Sequence, residues 1–422
     1  MKIAIWLTPV SYFYNLPVIK YSIKGDNELR LYDILGLVFI YYFIKHFKLI
    51  NFEINRILFF RKFYYFIIYC SISIVFTLLF AIFYKNRIIV FVQSVLYLYH
   101  MWFFYLSSIF LYFYVSTYNS YKKITRLIVI LIIIESLIVI LQNMGIIPFL
   151  FNNEYFISYR GFLSGTLGPN KIVIGMTMLI SFIFVIGLLF EKRIINSKIL
   201  LFVALFGSVI SILLSGSRTT YVGLIVFLLY FFIKKTGKFI SLGIIGGFMF
   251  VFLLSVNPQI FDRINDTIND RIVNKINGPE DINSAEDVIG VYDDLGAGRS
   301  NLQLRYIKFL LEKPFVIPFG VGFNNRLMIG NSAHNIYLSL INEVGLIGLF
   351  LFINWLFSYL IIGKNKYTFL KLALNGLVLS MGVTLLFGEH LYIYRPLFGI
   401  MGYFMIICVL LLVPQRKVKN GT

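Results

Sequence analysis

His334 stands in SAHNIYLSLINEVGLIGLF, at the threshold of a membrane-length apolar run. An imidazole there, with an ordinary affinity for protons near neutrality, can accept a proton from a hydroxyl. It can equally be an interfacial ring hydrogen-bonded to its own loop, and position alone does not choose. Arginines mark other junctions: Arg160 in NNEYFISYRGFLSGTLGPNK, Arg218 in LLSGSRTTY, Arg299 and Arg305 in GRSNLQLRY, and Arg395 in EHLYIYRP. Fixed guanidinium groups near one interface suit a phosphate or pyrophosphate, which accepts their forked donors bidentately. Headgroup anchoring or a salt bridge accounts for each taken singly. Arg218 is the strongest, because so short a turn leaves its side chain little freedom. Ser332 is placed to cap the following helix, with His334 in its first turn. Glu343 lies nine residues further, about 180° round one continuous helix, so it pairs within the bundle rather than with His334.

These residues need elements to hold them, and composition says what those are. The chain has 422 residues, 59% hydrophobic and only 14% charged, with 45 Phe. A soluble protein of this length could not hide so much apolar surface, so the bilayer is its solvent. Apolar runs of about 20 residues recur, each long enough to cross as a helix. The short alternating segments of a transmembrane β-barrel are absent.

A formal charge of +19 falls in clusters between those runs: Lys45 to Lys62, Lys122 to Arg126, Lys192 to Lys198, Lys234 to Lys238, Lys364 to Lys371 and Arg416 to Lys419. Clusters at alternate junctions are the positive-inside signal, not a nucleic-acid surface. The pattern predicts an all-α, polytopic protein with about twelve spans and both termini cytoplasmic. They fall at 4–19, 31–50, 63–84, 90–115, 124–147, 170–190, 197–214, 219–234, 239–256, 335–362, 367–388 and 394–413. Pro9 and Pro17 interrupt the first. Residues 1–256 then form nine spans, 257–334 one long extracytoplasmic loop, and 335–422 three spans with a cytoplasmic tail.

That loop carries 10 of the 19 acidic residues. DRINDTINDRIVNKI repeats Ile every four residues and reads as an amphipathic helix, as does LQLRYIKFLLEK before Pro314. In GVGFNN, glycines 320 and 322 mark a sharp bend. A connector of this length serves as a lid or binding surface. Glu135 and Asp33, inside spans, need partners or an aqueous cavity. A proton relay would use Glu135, but no series of spaced acids accompanies it. Cys70 and Cys408 lie in apolar runs as buried thiols. No cleavable leader is evident, nor an internal repeat. Four scattered histidines offer no metal-ligand set, so no metal and no cofactor is expected.

RGFLSGTLGPNKIVIGM, LLSGSRTTYVGLIVF, GRSNLQLRYIKFLLEKPF and SAHNIYLSLINEVGLIGLF together resemble the O-antigen ligase and polymerase superfamily, in the family's order, over roughly residues 155–355. The HN-x-YL-x-x-L-x-x-E-x-G-x-x-G block, with Asn335, Tyr337 and Glu343 beside His334, carries most of that likeness. The resemblance implies a C-type membrane glycosyltransferase fold. It also implies an inner-membrane enzyme acting, outside the cytoplasm, on glycans carried by undecaprenyl pyrophosphate. Arg218, Arg160 and Arg305 would hold the pyrophosphate, with Arg299 in a Gly-Arg pair and Arg395 as further support. His334 would be the general base of an inverting transfer. The acceptor would be another lipid-linked repeat unit for a polymerase, working with a chain-length-regulating copolymerase, or lipid A–core for a ligase. A flippase, the alternative from another class, would place paired charges at mid-membrane in broken helices.

Overall fold

Where water is scarce, backbone polar groups must be satisfied within a segment, and uncharged runs of Leu, Ile, Phe and Val become helices. The computed structural model describes residues 1–20, 28–83, 88–116, 118–151, 163, 165–168, 170–191, 194–195, 197–244, 247, 299–325, 332–361, 368–392 and 398–416. In chain order the helices are α1 (Lys2–Phe13), α2 (Leu31–Lys45), α3 (Phe47–Arg56), α4 (Leu58–Phe83), α5 (Ile89–Val115) and α6 (Tyr118–Asn143). Then come α7 (Lys171–Phe190), α8 (Lys198–Ser215), α9 (Arg218–Lys234), α10 (Arg299–Glu312), α11 (Val316–Phe319), α12 (Ile336–Ser358), α13 (Thr368–Thr384) and α14 (Phe398–Arg416). A two-residue antiparallel pair, β1 (Ile19–Lys20) and β2 (Glu28–Leu29), joins α1 to α2.

The protein is a multi-pass helical membrane protein. Among the described residues, six helices are long and apolar enough to cross alone: α4, α5, α6 from Asn119, α7, α8 and α12. α13 and Gly399–Val413 are apolar but shorter. The expected first span is a 12-residue helix with Pro9 inside it. The expected span 31–50 is broken at His46, and the chain turns into α3, which buries Ile50 and Ile54 and exposes Leu49 and Phe52. Polar residues on every turn of 47–56 (Lys48, Asn51, Glu53, Asn55) keep that segment from continuing as a span.

α7 and α14 form the centre. Both are apolar all round, and the described side chains of Ile400–Val413 are buried. α8, α9, α13 and α14 pack on α7, while α5 and α1 cover other faces of α14. Tyr12 of α1 lies against Gly402 of α14, where a Cβ would meet its ring at 2.4 Å.

Alternate connections gather at one end. Asn15 N–H donates to Thr166 O (3.0 Å), joining the segment after α1 to that before α7. At the far ends of the helices, Lys235 lies over the Phe369 ring and Lys238 over that of Phe190. These two lysines therefore lie at the end opposite the Asn15–Thr166 contact.

Candidate functional site

Arg218 opens α9. α8 ends at Ser215, Gly216 takes a left-handed conformation (φ 61°), and Ser217 is the N-cap. This is the tight turn its sequence predicts, with Arg218 half-buried. Thr220 Oγ donates to Ser217 Oγ (2.9 Å) and packs over Gly175 of α7. Thr219 Oγ donates to Phe387 O at 3.4 Å.

His334 lies outside the helix, not in its first turn. Its φ of 51° is left-handed, and its N–H donates to Ser332 Oγ (3.2 Å). The cap is Asn335, whose Oδ1 accepts from Tyr337 N (3.0 Å) and Leu338 N (3.3 Å). Asn satisfies the first free amides directly, so the helix begins at Ile336, two residues after His334. Ile336 N–H donates to Leu385 O (3.0 Å), and the half-buried Tyr337 hydroxyl to Gly382 O (2.6 Å). The residues after His334 and after Arg218 are thus tied to Leu385 and Phe387, two positions apart on one segment.

That segment, 385–392, is the part that sequence reasoning missed. Ser339 Oγ donates to the buried Glu389 carboxylate, fastening α12. Thr384 Oγ donates to Met381 O (2.9 Å), so at its 3.0 Å contact with His390 Nε2 the ring nitrogen is the donor. Burial pushes this imidazole down to about 3, fixing it neutral. The Tyr392 hydroxyl donates to Glu343 Oε2 at 3.1 Å. The one available signal was an adjacent Glu-His pair in an otherwise apolar stretch.

α12 is not continuous: Gly345 (φ 70°, ψ −176°) breaks it. The GVGFNN turn fills the break instead of lying outside the bundle. Val321 N donates to Asn342 O (2.9 Å) and Gly322 N to Glu343 O (2.8 Å). Phe323 N donates to Ser73 Oγ (3.1 Å) and Thr77 Oγ to Phe323 O (2.7 Å). Asn324 N donates to Glu343 Oε2 (2.9 Å) and its Nδ2 to Ser94 Oγ (3.3 Å). Non-helical backbone at this depth survives because protein groups satisfy it. Glu343 thus holds the loop, within the bundle as expected.

The other intramembrane acids are also paired. Glu135 accepts from Thr166 N (2.7 Å) and Thr166 Oγ (2.6 Å), and Asp33 Oδ1 meets His100 Nε2 at 2.5 Å. Arg30, absent from the sequence reading, is buried with Nη1 donating to Asn15 Oδ1 (3.2 Å). Arg305 is exposed on α10, which packs on α12. Arg299 begins α10, its side chain lying outside the described residues, as do Arg160, Arg395 and the DRINDTINDRIVNKI stretch.

Residues 200–353 match the family model described as O-Antigen ligase. The match runs from inside α8 to inside α12 and includes the SGSR turn, α10 and the HN block. The resemblance to the O-antigen ligase and polymerase superfamily therefore holds over the part of the chain that carries Arg218 and His334. No curated protein matches the chain.

Proposed function

We propose that this membrane protein, matched to the O-antigen ligase family across its candidate site, polymerises undecaprenyl-pyrophosphate-linked repeat units into O-antigen or capsular polysaccharide. The observation that carries the reading is that Thr219, next to Arg218, and Ile336, two residues after His334, are bonded to Phe387 O and Leu385 O of one segment. A base and a cation on one frame meet the needs of direct displacement. His334 takes the proton of the acceptor hydroxyl as its oxygen attacks the anomeric carbon. The glycosidic bond to pyrophosphate breaks, both electrons leave with the diphosphate, and Arg218 stabilises the charge that develops. Attack opposite the leaving group inverts the anomeric centre.

Arg160, Arg299 and Arg305 supply further cations, Asn335 and Tyr337 fix the base's loop, and Arg395 supports the outer rim. The lipid pyrophosphate stores the energy, so no nucleotide, metal or cofactor enters this reading. In it the chain has twelve spans in a C-type glycosyltransferase fold within the bacterial inner membrane. Both termini are cytoplasmic, the part of 257–334 that precedes the buried GVGFNN turn covers the site outside, and a copolymerase regulates length. The family description itself favours a second reading, in which the acceptor is lipid A–core.

The test is reconstitution with a purified lipid-pyrophosphate-linked repeat unit. A ladder of longer lipid-linked glycans supports the polymerase. Transfer only when lipid A–core is added supports the ligase. Movement of the lipid between leaflets with neither product overturns both.

A further inference from the structure

The most conspicuous surface left unused by this chemistry is on α10 and α11. Tyr306 is the buried anchor of α10, 1% exposed. At 100° per residue, Leu304, Ile307 and Leu311 fall on one flank of that anchor, and all three are exposed, Leu311 by 76%. Phe315 and Phe319 extend the stripe, exposed by 64% and 51%. Arg305, Lys308 and Glu312 occupy a separate sector, with Lys308 Nζ and Glu312 Oε1 3.9 Å apart in the open. Five large apolar side chains exposed between residues 304 and 319, three of them on one flank of α10 away from its charged sector, are not an ordinary water-facing surface. They have the pattern of a helix lying in a membrane interface.

Depth gives a second, independent argument. Three residues after Phe319, Gly322 packs against Thr77, where a Cβ would meet the backbone nitrogen at 2.3 Å. Thr77 lies six residues before the end of α4, about 9 Å along the helix axis, and Ser73, which holds Phe323, a further turn in. The turn that follows α11 is therefore sunk below the end of α4. α11 packs on α12, whose Leu346, Ile347 and Phe350 are themselves exposed apolar residues facing outward. α10 packs on α12 as well, so both helices lie against the span that carries these exposed apolar residues.

We propose that α10 and α11 form a membrane-dipping hairpin whose stripe Leu304, Ile307, Leu311, Phe315 and Phe319 is covered by phospholipid acyl chains. Lys308 stands at the headgroup layer, where anionic lipid complements it. The lipid leaflet, not a protein partner, is the occupant, because both helices pack on α12, a span whose exposed apolar residues the bilayer covers. The proposal needs multi-pass insertion but not the reaction proposed above, so neither falls with the other.

The test uses the full chain in vesicles of phosphatidylethanolamine and phosphatidylglycerol, with a nitroxide on Leu311→Cys or Lys308→Cys. Cys70 and Cys408 are fully buried, and the unsubstituted protein gives their background. Power saturation should show the Leu311 label favouring oxygen over a water-soluble nickel complex severalfold, and the Lys308 label the reverse. Equal nickel access at both positions would place the stripe in water and overturn the proposal. A Leu311 label shielded from both reagents would mean that protein covers it, a second copy or residues 257–298, and would overturn it as well.

Discussion

Gly320 and Gly345 each face the backbone of the other's segment. A Cβ on Gly320 would stand 2.2 Å from the Glu343 carbonyl oxygen, and one on Gly345 2.2 Å from that of Pro318. Both have positive φ with ψ near 180°, a region only glycine occupies freely. The break in α12 and the turn after α11 thus require one another.

Gly345→Ala should therefore cost at least about 3 kcal/mol, summing backbone strain and the clash. Gly243→Ala, helical and with nothing within 4 Å, is the control and should be neutral or stabilise by up to about 1 kcal/mol. Thermal unfolding in detergent measures both. Equal melting temperatures would show that the two segments do not interlock.

Glu343 is the polar counterpart of that lock. Its Oε2 accepts from Asn324 N and the Tyr392 hydroxyl while the residue is fully buried. Glu343→Ala leaves both donors unsatisfied and should destabilise by about 3 kcal/mol, whereas Glu343→Gln keeps an acceptor and should cost about 1. A Gln variant as unstable as the Ala variant would mean that the charge, not the hydrogen bonds, matters.

The spans that became α4 to α9 were legible because apolar length is local information, and their ends fall within six residues of expectation. His334 and Arg218 were legible as polar exceptions at span ends. What stayed hidden depended on tertiary partners. Nothing in INEVG announces a break unless Gly320 is known to lie across it. The folding of GVGFNN into the bundle depends on Ser73, Thr77 and Ser94, more than 220 residues earlier. Asn335 displaced Ser332 as the cap because the left-handed turn at His334 moved the helix start, which spacing alone does not reveal.

His390 gives a pH dependence with a definite sign. Its folded-state value, about 3, lies below the ordinary 6.5, so between those values the unfolded chain binds a proton that the fold refuses. Stability should then fall as the pH drops below about 6.5, by up to about 1.4 kcal/mol per unit from this residue. His390→Asn should flatten that slope between pH 6.5 and 4 while lowering stability at pH 7 through the lost Thr384 contact. Parallel slopes for the two proteins, read by thermal unfolding across that range, would place the acid sensitivity elsewhere.

The left-handed backbone at His334 dictates which substitution tests its role. Alanine there removes the imidazole but also strains a φ of 51° by about 1 kcal/mol, mixing chemistry with folding. Asparagine tolerates that conformation and cannot act as a base. His334→Asn should therefore melt within about 1 °C of the native protein, since the side chain is only half-buried, yet lose about 10²- to 10⁴-fold in glycan transfer, the range for a general base. Arg218→Lys should also fold, keeping charge but losing the forked donors, and should slow transfer without moving the pH profile. Native-like rates in His334→Asn would remove the base from this histidine, whatever becomes of Arg218.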